Sequence, residues 1–187
     1  MKLCKIGVGL TGYPGAGKTL LAAEASRMGL PVLNMGDVVR EEADKRGIEP
    51  TRENMTRLMF KLREEEGSLA VARRILDKCR RVEGKLVVID GLRTVDELRL
   101  FKESFKRFIL VMVDAPREER FRRLHKRGRS DDPKTLEELA DRDRAEETLG
   151  LGELVEKADR LVVNSGPPER ALKAFRAILE EASRLDP

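Results

Sequence analysis

Tryptophan and glutamine are absent from this sequence, and it holds one tyrosine, one histidine and two cysteines. Each scarcity argues against something. Two cysteines, Cys4 and Cys79, are too few for a disulfide framework or a thiolate metal site, and both read as small buried thiols. A lone histidine, His125, argues against an imidazole metal centre. Six phenylalanines and one tyrosine make a thin platform for stacking bases, so nucleic acid is allowed by charge but not favoured. The longest apolar run, 108–113, has the length of a strand and falls far short of the ~18 residues a membrane span needs. The start, MKLCKIGVGL, has no small-residue cleavage site, and removing it would delete the first strand. It therefore reads as part of the fold rather than a signal peptide, and a cytoplasmic location is expected.

What is abundant is charge. Lys, Arg, Asp and Glu make up 39% of the 187 residues, yet the net charge is only +4. Interspersed signs mark a solvated surface. High Lys, Arg and Glu with no Gln and only Asn34, Asn54 and Asn164 fit a hyperthermophile. The positive balance suits an anionic substrate. With 40% hydrophobic residues the chain has enough for one α/β domain with room for a small insertion. Nothing in the composition sets an oligomeric state.

Short apolar runs alternate with amphipathic stretches, the pattern of βαβ units on a parallel sheet. Strands are expected at 4–10, 31–35, 86–90, 108–114 and 160–164, nearly all apolar as befits strands covered on both faces. Helices are expected at 17–28, around Met55, Leu58, Met59 and Leu62 after a capping Thr51, at 69–80 after a capping Ser68, and from 167–168 to about 185. Thr94 to Glu97 and Thr135 to Glu138 read as capping boxes. Two insertions stand out. Residues 37–84 are helical with no strand. After the fourth strand come a very basic helix, a turn RGRSDDP and an acidic helix.

The strongest signal is GYPGAGKT: Gly12, Tyr13, Pro14, Gly15, Ala16, Gly17, Lys18 and Thr19 match G-x-x-x-x-G-K-[ST] between an apolar strand and a helix. Its glycines let successive backbone N–H groups point inward as an anion nest, with the helix N-terminus behind them. In this motif the lysine bridges the β- and γ-phosphates and the hydroxyl ligates Mg²⁺, which assigns those roles to Lys18 and Thr19, with ATP and Mg²⁺ as the expected ligands.

Asp90 ends the third strand beside this loop, where open α/β sheets bind ligands. It suits Mg²⁺ held through water, or a proton taken from an acceptor; as part of Asp-Gly it also suits a plain turn. Arg40 and Arg93 follow the second and third strands on the same edge, and the planar fork of arginine fits an acceptor phosphate. Asp37 is either an N-cap or an acceptor-binding carboxylate. The basic run Arg120, Arg122, Arg123, Lys126, Arg127 and Arg129 is either a solvated face or a lid over the transferring group. Arg120, Arg123 and Arg127 share one helical face, and Arg123 and Arg127 are the favoured lid contacts, with Arg142 and Arg144 as further candidates.

These segments resemble the nucleoside monophosphate kinases and the dephospho-coenzyme A kinases. GDVVR is similar to the adenylate kinase segment in which Gly-Asp precedes an arginine on the acceptor phosphate, which implies that role for Arg40. IDGLRT resembles the Asp-Gly-Phe-Pro-Arg-Thr segment, one residue shorter and without its proline, and implies a like role for Arg93. Met35 stands where adenylate kinases often have a threonine touching the acceptor. VMVDAPREERFRRL and ADRLVVNSG look like dephospho-coenzyme A kinase segments, and the second implies that Asn164 lies beside the donor adenine. Over nearly its full length the chain is similar to an archaeal family of adenylate-kinase-related P-loop proteins. The resemblance implies a P-loop NTPase fold: one domain whose five-stranded parallel sheet is flanked by helices. The core would be 1–36, 85–119 and 148–187, with a helical acceptor-binding insertion at 37–84 and a short lid at 120–147.

The expected function is a phosphotransferase carrying the ATP γ-phosphoryl to a nucleotide or nucleotide-like small-molecule acceptor. A monophosphate is preferred because two arginines flank the acceptor side. The alternatives are phosphorylation of a hydroxyl, as in dephospho-coenzyme A, with Asp37 or Asp90 as base, and an ATPase serving assembly or RNA processing. No Asn-Lys-x-Asp motif supports a guanine switch. Intact Lys18, Thr19 and Asp90 speak against a binding module that has lost catalysis.

Overall fold

Five apolar runs become five strands that lie parallel in one sheet, in the order β2-β3-β1-β4-β5. The computed structural model describes residues 3–128 and 132–185; Arg129, the centre of the RGRSDDP turn and the side chain of Cys4 lie outside the described residues. The strands are β1 (Leu3–Thr11), β2 (Val32–Asn34), β3 (Leu86–Asp90), β4 (Phe105–Asp114) and β5 (Arg160–Val163). Helices α1 (Lys18–Arg27) and α9 (Pro168–Arg184) cover one face. On the other face lie α4 (Ala70–Arg81), α5 (Val95–Ser104) and α8 (Leu151–Glu156), with α2 (Met35–Lys45) and α3 (Arg52–Glu66) packed around α4. Helices α6 (Arg117–Arg127) and α7 (Leu136–Thr148) form a pair between β4 and α8. No helix among the described residues is long and apolar enough to cross a membrane. Cys79 is buried on α4, and burial pushes its thiol up to about 11.

The two faces of β1 are unequal, and that decides the packing. Ile6, Val8 and Leu10 point into the core under α1 and α9. On the opposite face stand Gly7 and Gly9, and the ring of Phe108 lies across them: a Cβ on Gly7 would sit 2.4 Å from that ring, one on Gly9 2.8 Å. Phe101 stacks on Phe108 with centroids 5.3 Å apart, and Phe105 meets Phe101 edge-on at 6.3 Å. Three of the six phenylalanines thus fill the space two glycines leave.

Several local expectations need correcting. β4 starts at Phe105, three residues early, because the exposed Lys106 and Arg107 part Phe105 from the apolar run that begins at Phe108. Met35 is the first residue of α2, not the end of a strand, because the Asn34 side chain accepts a hydrogen bond from Gly36 N at 2.7 Å and starts the helix there. Asn34, not Asp37, is therefore the N-cap; Asp37 sits in the first turn. Ser68 does not cap α4, whose N-cap is Leu69 without a side-chain bond. Thr51 caps α3 as expected, and Thr94 with Glu97 completes its box. Thr135 accepts from Glu138 N, but the Glu138 carboxylate reaches Lys134 N instead of closing the box.

Gly7→Ala is expected to destabilise the protein by about 1–3 kcal/mol, since the Phe108 ring it would displace packs against Phe101 and Phe105. Chemical denaturation should show a lower midpoint at constant slope. Gly7→Ala with Phe108→Leu should recover part of the loss.

Candidate functional site

Parallel strands bring all their carboxyl ends to one edge. Register pairs Leu10 with Asp90 and Asn34 with Asp90, so the ends of β1, β3 and β2 stand side by side. Thr11 Oγ1 donates to Leu92 O at 3.0 Å, and Gly91 N and Leu92 N donate to Leu10 O, which ties the turn after β3 to the start of the loop after β1.

That loop, 12–17, curls in a way only glycine tolerates at two crowded points. Gly12 has φ 138° and its missing Cβ would lie 2.3 Å from Val113 O; Gly17 has φ 105° and a Cβ there would lie 2.1 Å from Asn164 Nδ2. Lys18, the first residue of α1, folds its ammonium back onto Gly12 O and, at 3.1 Å, Tyr13 O. Burial lowers its pKa to about 8; the charge of Asp90 opposes that shift, as does Glu146, while Arg93 and Arg142 add to it. Thr19 follows, exposed.

Asp90 is buried. Its Oδ2 accepts from Asn34 Nδ2 at 2.9 Å, while Oδ1 is buried without a hydrogen-bond partner. Burial holds its pKa above the usual carboxylate range, against the pull of Lys18 and the Asn34 hydrogen bond. A buried carboxylate with one oxygen unpartnered, facing an ammonium it does not hydrogen-bond, is suited to a cation or a transferable proton.

Around this pair the structure gathers Arg93 and, from the other side, Asp37, whose charge reaches Asp90. Arg93 Nε lies 3.4 Å from Glu146 Oε2 on α7, and its Nη1 rests 3.9 Å from Met59 Sδ on α3. Its backbone is fixed by the buried Glu97, which accepts from Arg93 N and Thr94 N, and to which Arg63 of α3 comes within 3.5 Å. Arg40 pairs with Asp37 on the exposed side of α2. The expected acceptor residues thus share one edge, each arginine already matched to an acid.

On the opposite flank, Asn164 is buried after β5, its Nδ2 donating to Ala16 O at 2.7 Å and its Oδ1 unpartnered. Arg123 donates to Ala16 O at 3.3 Å, to Asn164 O at 2.7 Å and to Glu119 at 2.8 Å. Asn164 and Arg123 therefore meet at the loop itself. Arg127 is tied by two donors to Asp132, which Arg142 approaches at 3.8 Å, and Arg144 pairs with Asp141 at the surface. Arg120, on the face it shares with Arg123 and Arg127, is buried against Asp143.

Sequence reasoning missed Asn34, Asp143, Glu146 and Glu147. Asn34 had a usable signal, an amide at a strand end in a chain with three asparagines. The three acids lie on an acidic helix whose residue types read equally well as a solvated face. Two surface grooves, about 560 Å³ beside α5 and about 340 Å³ beside the amino end of β3, include no residue of this site.

Comparison with known proteins follows the same lines. A sequence profile of the family described as an AAA domain matches residues 11–140. A UPF0200/UPF0201 protein of Archaeoglobus fulgidus is 46% identical over 92% of this chain, which spans 54% of that relative's length. A UPF0200 protein of Hyperthermus butylicus is 45% identical over 94% of this chain and 90% of its own. Among solved structures, TT1252 from Thermus thermophilus superposes with TM-score 0.70 at 25% identity, over 96% of this chain and 98% of its own. A shikimate kinase from Bacteroides thetaiotaomicron does so with TM-score 0.60 at 18% identity, over 94% and 97%, a likeness of fold. The sheet order, the loop and these matches describe a P-loop kinase fold, and the chain belongs to the AAA-domain family and, with its archaeal relatives, to the UPF0200 proteins.

Proposed function

We propose that this protein is an ATP-dependent phosphotransferase acting on a nucleotide or nucleotide-like small molecule. The observation that carries the reading is the pairing of the half-buried Lys18 with the buried Asp90 at the loop's mouth, mutually attracting yet each with bonding capacity turned elsewhere. The unpartnered Asp90 Oδ1, acting through water, and the Thr19 hydroxyl would hold a Mg²⁺ ion. When bound, Mg²⁺ neutralises charge on the β- and γ-phosphate oxygens. Loop amides hold the phosphates, and Lys18 exchanges its carbonyl partners for the β,γ oxygens.

On the acceptor side, Arg40 and Arg93 position the acceptor, with Asp37 beside them, and the helical insertion 37–84 forms its wall. The acceptor oxygen bonds to the γ-phosphorus as the bond to the β-bridging oxygen breaks. A monophosphate oxygen is already anionic and needs no base. A hydroxyl acceptor, the second reading, is favoured by one fact: burial raises the Asp90 pKa, so this carboxylate can take the proton. In the lid, 120–147, Arg123 and Arg127 leave Asn164 O and Asp132 to neutralise the moving phosphoryl group. Asn164 flanks the donor's adenine.

Phosphate oxygens favour the charged form of Lys18. Its pKa of about 8 in the free protein then rises on binding, so MgATP binding at pH 8 should take up about half a proton. Calorimetry in buffers of different ionisation enthalpy measures this, and affinity should fall as pH rises from 7 to 9. Lys18→Ala should abolish both effects.

A coupled assay over nucleoside monophosphates and dephospho-coenzyme A, with ATP and GTP as donors, tests the reaction. Arg40→Ala and Arg93→Ala should each lower kcat/KM for the acceptor by about 10–100-fold, the worth of a charge-assisted bond, with little change in KM for ATP. Wild-type kinetics in both variants would refute the acceptor roles, and acceptor-independent hydrolysis would refute the transferase reading.

A further inference from the structure

A loop carbonyl turned into protein needs a donor. Gly12 O and Tyr13 O take Lys18; Ala16 O takes Asn164 and Arg123. Pro14 O takes Arg120, Nη1 donating at 3.0 Å. Arg120 is the one donor in this set to which the reaction above gives no part.

Its surroundings are built for one position. The guanidinium is buried and bidentate to Asp143, 2.9 Å to Oδ1 and 2.7 Å to Oδ2. It lies over the Tyr13 ring, 5.3 Å from the centroid. Its own carbonyl oxygen would sit 2.7 Å from a Cβ on Gly15. One residue therefore touches loop positions 13, 14 and 15. Helix α7 grips the same flank directly, since Glu147, one turn beyond Asp143, accepts from the Tyr13 hydroxyl at 3.0 Å. A buried ion pair adds little stability in itself, and apolar replacements often do as well. The contact to Pro14 O is what an ordinary core pair has no need of.

We propose that Arg120, held by Asp143, is a positioning residue for the phosphate-binding loop: it pins the Pro14 carbonyl and so fixes the path of the loop through 13–16. The proposal rests on the reading that this loop binds a triphosphate. It makes the α6–α7 pair part of the loop's support.

The test compares Arg120→Met, Arg120→Lys and Asp143→Asn with Arg176→Met, which cuts the Glu24 ion pair between α9 and α1 away from this flank. MgATP affinity is measured by calorimetry, and amide exchange of residues 15–18 by NMR without nucleotide. Arg120→Met should weaken MgATP about tenfold, the scale of a lost charge-assisted bond. It should also speed exchange at Ala16, whose amide donates to Tyr13 O at 3.2 Å. Arg120→Lys and Asp143→Asn should lie between, and Arg176→Met should match wild type in both readouts despite a lowered unfolding midpoint. Unchanged loop exchange and affinity in a folded Arg120→Met or Arg120→Lys protein overturns the proposal, as does an equal loss in the Arg176→Met control. If the wild type binds no triphosphate, the functional reading fails, and loop exchange alone then decides the role of Arg120.

Discussion

Everything at this site depends on how the carbonyls of one glycine-rich loop are held. Pro14 O and Ala16 O are taken by donors from well-separated parts of the chain: Arg120 and Arg123 on α6 and Asn164 after β5. Each contact closes over neighbours that leave no room for a side chain at Gly12 or Gly17. The loop's shape is a tertiary property that its glycines permit and these donors enforce.

The sheet supplies the frame. With β1 central and all strands parallel, the loop emerges between β3 and β4, so Asp90 stands beside it and the segment after β5 reaches around it. The asymmetry of β1 contributes. Glycines on one face admit the Phe101, Phe105 and Phe108 cluster, while Ile6, Val8 and Leu10 on the other anchor α1, whose N-terminus carries Lys18. Packing at the strand's middle and chemistry at its end belong to one strand.

Charge around the site is arranged as exchangeable pairs. Arg40 faces Asp37, Arg93 faces Glu146, Asp132 collects Arg127 and Arg142, and Arg120 is locked to Asp143. A polyanion entering such a site competes with carboxylates for arginines. The exposed pair Arg40–Asp37 and the open Arg93 yield at small cost, because half-solvated ion pairs are weak. The buried Arg120–Asp143 pair does not yield, since separating it would strand a charge in the core. Graded burial thus sets Arg120 apart from the exposed Arg40 and the half-buried Arg93, and from Arg123 and Arg127, which share its helical face.

The order of strands and helices, the loop at 12–19 and the acid at the end of β3 were legible in the residues themselves, because hydrophobic periodicity and a glycine-lysine motif are local signals. So were the caps at Thr51 and Thr94. Local reading failed where a nonlocal partner decided: Phe105 joins β4 by pairing with Leu3 of β1, and Asn34 both ends β2 and holds Asp90. A parallel α/β domain with a phosphate loop can thus be read from the residues in order. Which arginines of α6 touch that loop and which acids face them emerges from packing, because an arginine's role depends on how deeply it is buried and what it meets there, and neither is written in its own neighbourhood of the chain.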